Sequence, residues 1–388
     1  MKKYINFRKC AVICFAILAF TGCKKFLDEK QDNSFTVPQS LGDLQMLLDN
    51  YTSMNTGYPS QGELAADNYY LATADYNALT DNSFKNYYTW QADDMRVTEW
   101  SSTYRTILYA NTVLDEYHKF IETADDQVTA NKIRGAALFF RANAFYLLAQ
   151  AWAPVYDSSN AASSFGIPLR VSADIGVVST RATVKEVYDR IIADAKEAAG
   201  LLDTVKPYPN RPTRQAAFGL LARTYLSMGA YQEAKLYADS ALTLGSTLIN
   251  FNSLNANSTV PFARFNAEVV FPAISAVSVV LTPARAKVDS NLLRSYHIND
   301  LRRTLFFRLT NGNYVYKGDY NASNNGTSYV GLTRPELYLI KAEAEARLGA
   351  GNHTSRTTPS GVMVARPCAM AADVEVLTAR AYREVRRR

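Results

Sequence analysis

The spacing of apolar residues predicts a chain built mainly of α-helices. Over five stretches, apolar side chains recur every three or four positions, which is the period of one buried helix face. These stretches are 37–51, 100–120, 131–151, 183–202 and 213–244. Ser40 and Thr183 stand where an N-cap is expected, because a hydroxyl can accept a hydrogen bond from the first backbone N–H groups of a helix. Pro154 predicts the end of the third helix.

The most regular of these stretches, 213–244, has the spacing of a tetratricopeptide repeat. Small residues occupy the positions where two helices must approach closely, and Gly229 stands between them. The matching positions are Phe218, Leu221, Ala222, Tyr225, Ala234, Ala238 and Ala241. An ordinary helical hairpin would also give amphipathic spacing. Residues 334–348 have the pattern of another first helix, and since a lone repeat leaves its apolar face in water, we expect these units to stack.

Two other regions lack a helical period. Residues 52–90 are rich in Tyr, Asn and Asp, so loops are expected there. Residues 251–329 contain short β-type runs, and the turn sequence Asn311–Asn313 predicts a hairpin. The runs are 269–271, 277–281 and 314–316. The predicted fold class is therefore mainly α, with tetratricopeptide-like helical repeats packed with a loop-rich half containing a few short β-strands.

The N-terminus has the composition of an export signal. Four basic residues precede an apolar run at 11–20 that is too short to span a membrane. Thr21 and Gly22 then stand directly before Cys23. Small residues before a cysteine resemble a bacterial lipobox, in which a signal peptidase cuts before the cysteine and its thiol is diacylated. The alternative is an ordinary secretory leader with a chance cysteine.

These patterns divide the chain into four segments. We expect a lipoprotein signal peptide at 1–22, a lipid-anchored tether at 23–36, a helical domain at 37–349 and an anomalous, disordered tail at 350–388. The tail has Gly and Pro where the second helix of the last repeat should lie, and it is rich in Arg, Ala and Thr. Translation in a shifted reading frame would give such a change. A genuine basic tail is the alternative.

Charge and metal-ligand spacing exclude several classes of function. The formal net charge of +6 comes from the leader and the tail, so the body between them is close to neutral. A surface that binds nucleic acid needs clustered Lys and Arg, and the sequence of the body shows no such cluster. Two of the four cysteines lie in the leader, one is Cys23 and one lies in the tail, which leaves no disulfide framework. His118, His297 and His353 share no metal-ligand spacing, so neither a metal nor a cofactor is expected.

The sequence offers little for catalysis. It has no Gly-rich phosphate loop, no nucleophile elbow and no paired-histidine metal motif. The adjacent residues Asp93 and Asp94 could supply one carboxylate of a glycosidase pair, and Glu99 the other. Carboxylates near a helix start are more often solvated or capping groups, so we do not expect an enzyme.

The abundant chemistry is that of a binding surface. The chain has 25 Tyr. A sugar ring has apolar C–H faces and a polar rim, so flat aromatic side chains beside Asn and Asp can hold it. The candidate ligand-binding residues are Asp67, Asn68, Tyr69, Tyr70, Tyr76 and Trp90. The alternative for each aromatic residue is that it packs the predicted loops onto the helices.

Taken together, the chain resembles one family, the SusD/RagB nutrient-binding outer-membrane lipoproteins of Bacteroidetes. The resembling stretches follow the order that the family uses, and they are 23–28, 100–114, 141–156, 181–202, 213–241 and 334–349. The resemblance implies a lipid anchor in the outer membrane and a partner that is a SusC-like TonB-dependent transporter. It further implies glycans or peptides as cargo. Family chains usually continue beyond this length.

We therefore expect a lipoprotein, exposed at the cell surface, that binds an oligosaccharide and delivers it to this transporter without covalent chemistry. Two alternatives stay open. One is a peptide-binding member of the same family, and the other is a non-catalytic tetratricopeptide-type scaffold that docks proteins. Ligand residues of the family lie on variable loops, so the resemblance adds no fixed motif to the candidates between Asp67 and Trp90.

Overall fold

The structure is a computed structural model that describes residues 38–91, 96–121, 127–206 and 208–350. The leader, Cys23, the tether and the tail after residue 350 lie outside these ranges, as do Asp93 and Asp94. Within the described ranges the fold is mainly α-helical, with thirteen α-helices and eight short strands. This confirms the predicted fold class.

Long helices and short elements alternate along the chain. The first elements are α1 (Leu41–Asp49), α2 (Tyr51–Met54), α3 (Gln61–Leu64), β1 (Tyr69–Tyr70), α4 (Thr73–Asn77), α5 (Asn82–Tyr88), α6 (Val97–Ile121) and α7 (Gln127–Trp152). They are followed by β2 (Phe165–Pro168), β3 (Arg181–Thr183), α8 (Val184–Leu201), α9 (Arg214–Ser227), α10 (Tyr231–Leu244) and a 3-10 turn (Phe251–Ser253). The last elements are β4 (Val269–Phe271), β5 (Lys287–Val288), α11 (Ser290–Ser295), α12 (Leu301–Phe306), β6 (Phe307–Thr310), β7 (Asn313–Tyr316), β8 (Leu332–Thr333) and α13 (Arg334–Ala350).

The predicted N-caps are present. Ser40 Oγ accepts a hydrogen bond from the Asp43 N–H at 3.1 Å. Thr183 and Glu186 form a capping box, because Thr183 Oγ1 accepts from the Glu186 N–H at 3.2 Å and Glu186 Oε2 accepts from the Thr183 N–H at 2.7 Å. Helix α8 therefore begins directly after Thr183, as the sequence predicts.

The long helices stack as tetratricopeptide-like units. Helices α6 to α10 each pack against the next one along the chain, and α13 packs against both α10 and α9. The hairpin of α9 and α10 is the predicted repeat, and Gly229 turns the chain between them with φ +71°. Contact between α9 and α13 is the relation between the first helices of successive units, so residues 334–348 have the predicted role.

Helix α7 is the centre of this stack. Every residue from Gly135 to Ala149 is buried, although the sequence pattern predicts only a stripe. Phe139 and Phe140 make edge contacts with Phe271 of β4, at ring-centroid distances of 4.6 and 5.6 Å. A helix surrounded on all sides is favoured when most of its side chains are apolar, because burying an unpaired polar group is costly.

Buried ion pairs satisfy the charged groups in this stack. Arg141 on α7 donates to both carboxylate oxygens of Asp194 on α8, at 2.7 and 2.9 Å, and to Asn111 Oδ1 on α6 at 2.9 Å. Arg223 on α9 donates to both oxygens of Glu336 on α13, at 2.5 and 2.6 Å. Each pair therefore links two helices in the interior.

The short strands pair in twos and join distant segments. Among the described residues, β1 pairs with β5, β2 with β3, β4 with β8 and β6 with β7, all antiparallel. The predicted hairpin is confirmed, since Asn311 and Gly312 form its turn with φ +50° and +78°. The predicted strand at 269–271 is also present, as β4.

Two expectations about the irregular regions are wrong. Residues 277–281 form no strand, because Ser278 Oγ accepts from the Val280 N–H at 3.2 Å and turns the chain, while the Ser278 N–H donates to the Gly326 carbonyl. Residues 52–90 are not simply loops, since they contain short helices and β1. These helices are too short to show a hydrophobic period in the sequence.

A buried carboxylate fixes the chain after β7. Asp319 is buried, and its two oxygens accept from the backbone N–H groups of Asn321 at 2.9 Å and Tyr329 at 2.7 Å. Burial raises the pKa of Asp319 from 3.8 to about 6. The hydrogen bonds favour the charged form, but the cost of removing the carboxylate from water is larger.

The ion pair in the helix stack gives a stability prediction. Replacing Asp194 with Ala leaves the Arg141 guanidinium buried without its carboxylate, so we expect the free energy of unfolding to fall by about 3–5 kcal/mol. Asp189→Ala on the same helix removes an exposed partner of Lys185 and should leave the urea midpoint nearly unchanged. An Asp194→Ala protein as stable as the wild type in urea unfolding would contradict the assigned role.

Asp319 gives a prediction about pH. Because its pKa is raised in the folded state, its stabilising contribution is complete below about pH 4 and is lost as the pH rises to about 6. We expect this group to lower the free energy of unfolding by about 3 kcal/mol across that window. Asp319→Asn should flatten this part of the stability profile in urea unfolding between pH 4 and 7. An unchanged slope would show that Asp319 does not titrate there.

Candidate functional site

Strand β1 gives its two tyrosines opposite environments. Tyr69 pairs with Val288 and Tyr70 with Lys287, and successive side chains of a strand point to opposite faces. Tyr69 is only 9% exposed, and its hydroxyl donates to the Leu64 carbonyl at 2.7 Å. Tyr70 is 39% exposed. Only Tyr70 can therefore present a ring face to a ligand.

The other tyrosines of this region form a small core. The Tyr88 ring lies 5.7 Å from the Tyr69 ring and 6.0 Å from the Tyr76 ring, and its hydroxyl accepts from the Leu71 N–H at 3.0 Å. Burial raises the pKa of Tyr69, so its hydroxyl stays protonated as a donor. For Tyr69 the structure therefore matches the packing alternative. Tyr76 is half-buried at the edge of this core, with Lys85 Nζ 5.7 Å from its ring centre.

Trp90 is the most exposed of the candidate aromatic residues, at 70%. It follows helix α5 with a φ of +59°, a conformation that is uncommon for an aromatic residue. The indole N–H donates to the Ala65 carbonyl at 2.9 Å. The edge of the indole is thus held by the backbone while its surface stays in water, which is the arrangement of a flat platform.

Asp67 and Asn68 flank the aromatic residues. Asp67 is exposed and Asn68 is half-buried, and the Asn68 carbonyl accepts from the Asp289 N–H at 2.9 Å. This bond continues the pairing of β1 with β5. Both residues directly precede β1 in the chain.

The structure adds one residue that the sequence did not indicate. The Tyr70 hydroxyl donates to Asn313 Oδ1 at 3.1 Å, and Asn313 Nδ2 in turn donates to the Asn311 carbonyl at 3.2 Å. The tip of the β6–β7 hairpin therefore lies against Tyr70. The sequence predicted this hairpin, but it contains no signal that places the hairpin beside a residue more than 240 positions earlier.

Glu99, considered above as a catalytic carboxylate, is fully engaged inside the fold. It is buried and accepts hydrogen bonds from the Ser60 N–H at 2.7 Å, the Ser60 hydroxyl at 2.8 Å and Arg96 Nε at 2.5 Å. Glu99 is therefore not solvated, and in this it differs from what we expected for a carboxylate in this segment. Through these three bonds, Glu99 joins the chain directly before α3 to the first turn of α6.

Nowhere in the described ranges do three or more His, Cys, Asp or Glu side chains come together as possible metal ligands. None of the helices in that part of the chain combines the length and the apolar composition needed to cross a bilayer.

Comparison with known proteins identifies the family. The SusD-like family model described as "Starch-binding associating with outer membrane" matches residues 25–226, more than half of the chain. The chain therefore belongs to the SusD-like family. No curated protein matches the sequence.

Solved structures share the fold. A SusD superfamily protein from Bacteroides thetaiotaomicron is 19% identical with a TM-score of 0.64, over 80% of this chain and 77% of that one. A SusD-like carbohydrate binding protein from Bacteroides vulgatus is 18% identical with a TM-score of 0.60, over 88% and 80%. Surface glycan-binding protein A from Bacteroides uniformis is 14% identical with a TM-score of 0.61, over 86% of each chain. At these identities, the likeness concerns the fold.

The contrast between buried and exposed aromatic residues gives a stability prediction. Tyr69→Ala removes a buried ring and its hydrogen bond, so we expect the free energy of unfolding to fall by about 3–5 kcal/mol. Trp90→Ala removes an exposed ring and should cost less than about 1 kcal/mol. Urea unfolding of the two variants checks this. A loss for Trp90→Ala as large as that for Tyr69→Ala would show that the indole packs the fold.

Proposed function

We propose that this protein is a surface-exposed lipoprotein of the outer membrane that binds an oligosaccharide through the segment between Asp67 and Trp90. The observation that carries the proposal is the indole of Trp90, which is exposed and is held at its edge by the Ala65 carbonyl. A fixed aromatic face can stack on the apolar face of a sugar ring with little loss of side-chain freedom.

Residues beside Tyr70 supply the polar part of the proposed site. The Tyr70 hydroxyl is fixed by Asn313, and Asp67 and Asn68 precede the strand that carries it. Hydroxyl groups of a sugar need such donors and acceptors around a ring platform. The family description, which mentions starch binding and the outer membrane, supports both the ligand class and the location. The neighbours described as carbohydrate-binding and glycan-binding proteins add to that support.

Binding without covalent chemistry is part of the proposal. The buried Glu99 has its carboxylate occupied by Ser60 and Arg96, so it is unsuited to proton transfer to a substrate. We further propose that the protein is anchored through a lipid on Cys23. Its partner would be a SusC-like TonB-dependent transporter, which takes over the bound oligosaccharide. These two points rest on the leader sequence and on the family.

The test is binding of maltoheptaose, a starch-type oligosaccharide, measured by isothermal titration calorimetry. We expect Trp90→Ala to weaken binding by about 1–3 kcal/mol, because the stacking surface is lost. Tyr208→Ala removes another exposed ring and is the matched control, expected to bind as the wild type does. If the variants melt at the same temperature as the wild type, weaker binding reflects lost contacts with the ligand and not a loss of folding. Equal affinity of Trp90→Ala and wild type would refute the proposed site.

A further inference from the structure

A concave surface lies on the helical half, and none of the candidate ligand-binding residues between Asp67 and Trp90 lines it. It is an open cavity of about 670 Å³ between the chain from Leu169 to Ala182 and one face of α8. This volume is in the range of small-molecule sites. Its lining contains no aromatic side chain, so it lacks the platforms that suit a sugar ring. Its chemistry must be considered separately from the proposed oligosaccharide site.

The loop that forms one wall is held in shape by its own arginine. Arg170 Nη2 donates to the Asp174 carbonyl at 2.5 Å, and Nη1 donates to Ser179 Oγ at 2.8 Å and to the Val177 carbonyl. A guanidinium that binds three points of one loop fixes their relative positions.

Helix α6 fixes the same loop from behind. Asn111 Nδ2 donates to the carbonyls of Arg170 at 2.8 Å and Ser172 at 3.2 Å. Asp115 Oδ2 accepts from the Ala173 N–H at 2.7 Å and from the Ser172 hydroxyl at 3.0 Å. The wall is thus attached to the helix stack by several hydrogen bonds, and its shape is set before any ligand binds.

This fixed wall exposes branched aliphatic side chains. Val171, Val177 and Val178 line the cavity, and Val178 is 85% exposed. Exposed apolar groups that line a concave surface are typical of sites for an apolar ligand group.

The opposite wall is one face of α8. Glu186, Asp189, Arg190 and Ala193 lie on successive turns of this face. Both carboxylates have local partners, since Glu186 completes the capping box with Thr183 and Asp189 binds Lys185 Nζ at 2.6 Å.

Arg190 is different, because its guanidinium has a weak partner. Its hydrogen bond within the described residues is a 3.4 Å contact with Asp194 Oδ1, an oxygen that Arg141 already binds at 2.9 Å. The Arg190 side chain is 41% exposed. Its remaining N–H groups can therefore bind a carboxylate of a ligand in the two-point geometry that guanidinium favours.

We propose that this cavity binds a ligand in which a carboxylate lies next to an aliphatic group. Arg190 binds the carboxylate, and Val171, Val177 and Val178 contact the aliphatic group. The C-terminus of a short peptide ending in Val has this chemistry, and so does a short fatty acid. The inference does not depend on the proposed oligosaccharide site, since it uses none of the same residues.

The test compares three probes by isothermal titration calorimetry on the intact protein. These are N-acetyl-Ala-Ala-Val as the free acid, the same peptide as its C-terminal amide, and octanoate. We expect the free acid or octanoate to bind, and Arg190→Gln to weaken that binding about tenfold or more, as for the loss of a charge-assisted hydrogen bond. Val178→Ser should weaken it several-fold. Whichever of the two acids binds more tightly identifies the source of the carboxylate.

Controls separate this site from the rest of the surface. Arg347→Gln removes a similarly exposed arginine elsewhere and should not change binding. Trp90→Ala should leave binding of the acids unchanged, and Arg190→Gln should leave the melting temperature and maltoheptaose binding unchanged. Equal binding of the peptide acid and its amide would overturn the inference. So would full affinity in the Arg190→Gln variant, loss of acid binding in Trp90→Ala, or binding of neither acid.

Discussion

The fold depends on two buried guanidinium groups. Arg141 lies on the most buried helix, where an unpaired charge would be strongly destabilising. Asn111 on α6 and Asp194 on α8 must therefore stay within hydrogen-bond distance of its guanidinium. Arg223 imposes the same requirement on α9 and α13 through Glu336. Small residues let the helices approach closely, and each ion pair requires an arrangement that brings a carboxylate on one helix to a guanidinium on another.

These two arginines also attach the irregular segments to the helices. Arg141 Nη1 lies 3.4 Å from the Val171 carbonyl, and Arg223 Nη2 donates to the Gly331 carbonyl at 2.6 Å. Each guanidinium thus binds a carboxylate of a neighbouring helix through Nε and Nη2, and it also donates to the backbone of a loop. Because a buried guanidinium needs all its donors satisfied, helix register and loop position are coupled at both places.

Several features that neighbouring residues decide were predicted from the sequence, whereas the pairing of short strands from distant segments was not. The N-cap at Thr183 and the turn at Gly312 each involve residues within a few positions, and both are present. The opposite burial of Tyr69 and Tyr70 follows from strand β1, but this two-residue strand exists only because residues 287–288 pair with it. No local pattern could indicate that pairing. The burial of α7 on all sides likewise depends on the helices and strands that pack around it, which its own sequence does not indicate.

The aromatic surface at Tyr70 and Trp90 and the cavity beside α8 both lie on backbone that is fixed by hydrogen bonds. Their accessible side chains differ in chemistry. At Trp90 and Tyr70 the polar atoms of each aromatic residue are already bound, by Ala65 and Asn313, so what remains accessible is ring surface. At the α8 cavity the lining includes valine side chains, the guanidinium of Arg190 and two carboxylates that already have local partners. Ring surface favours the C–H face of a sugar, whereas a cation beside aliphatic groups favours a carboxylate. The hydrogen bonds that fix one surface involve none of the residues that fix the other, so the proposed occupation of one requires no change in the other.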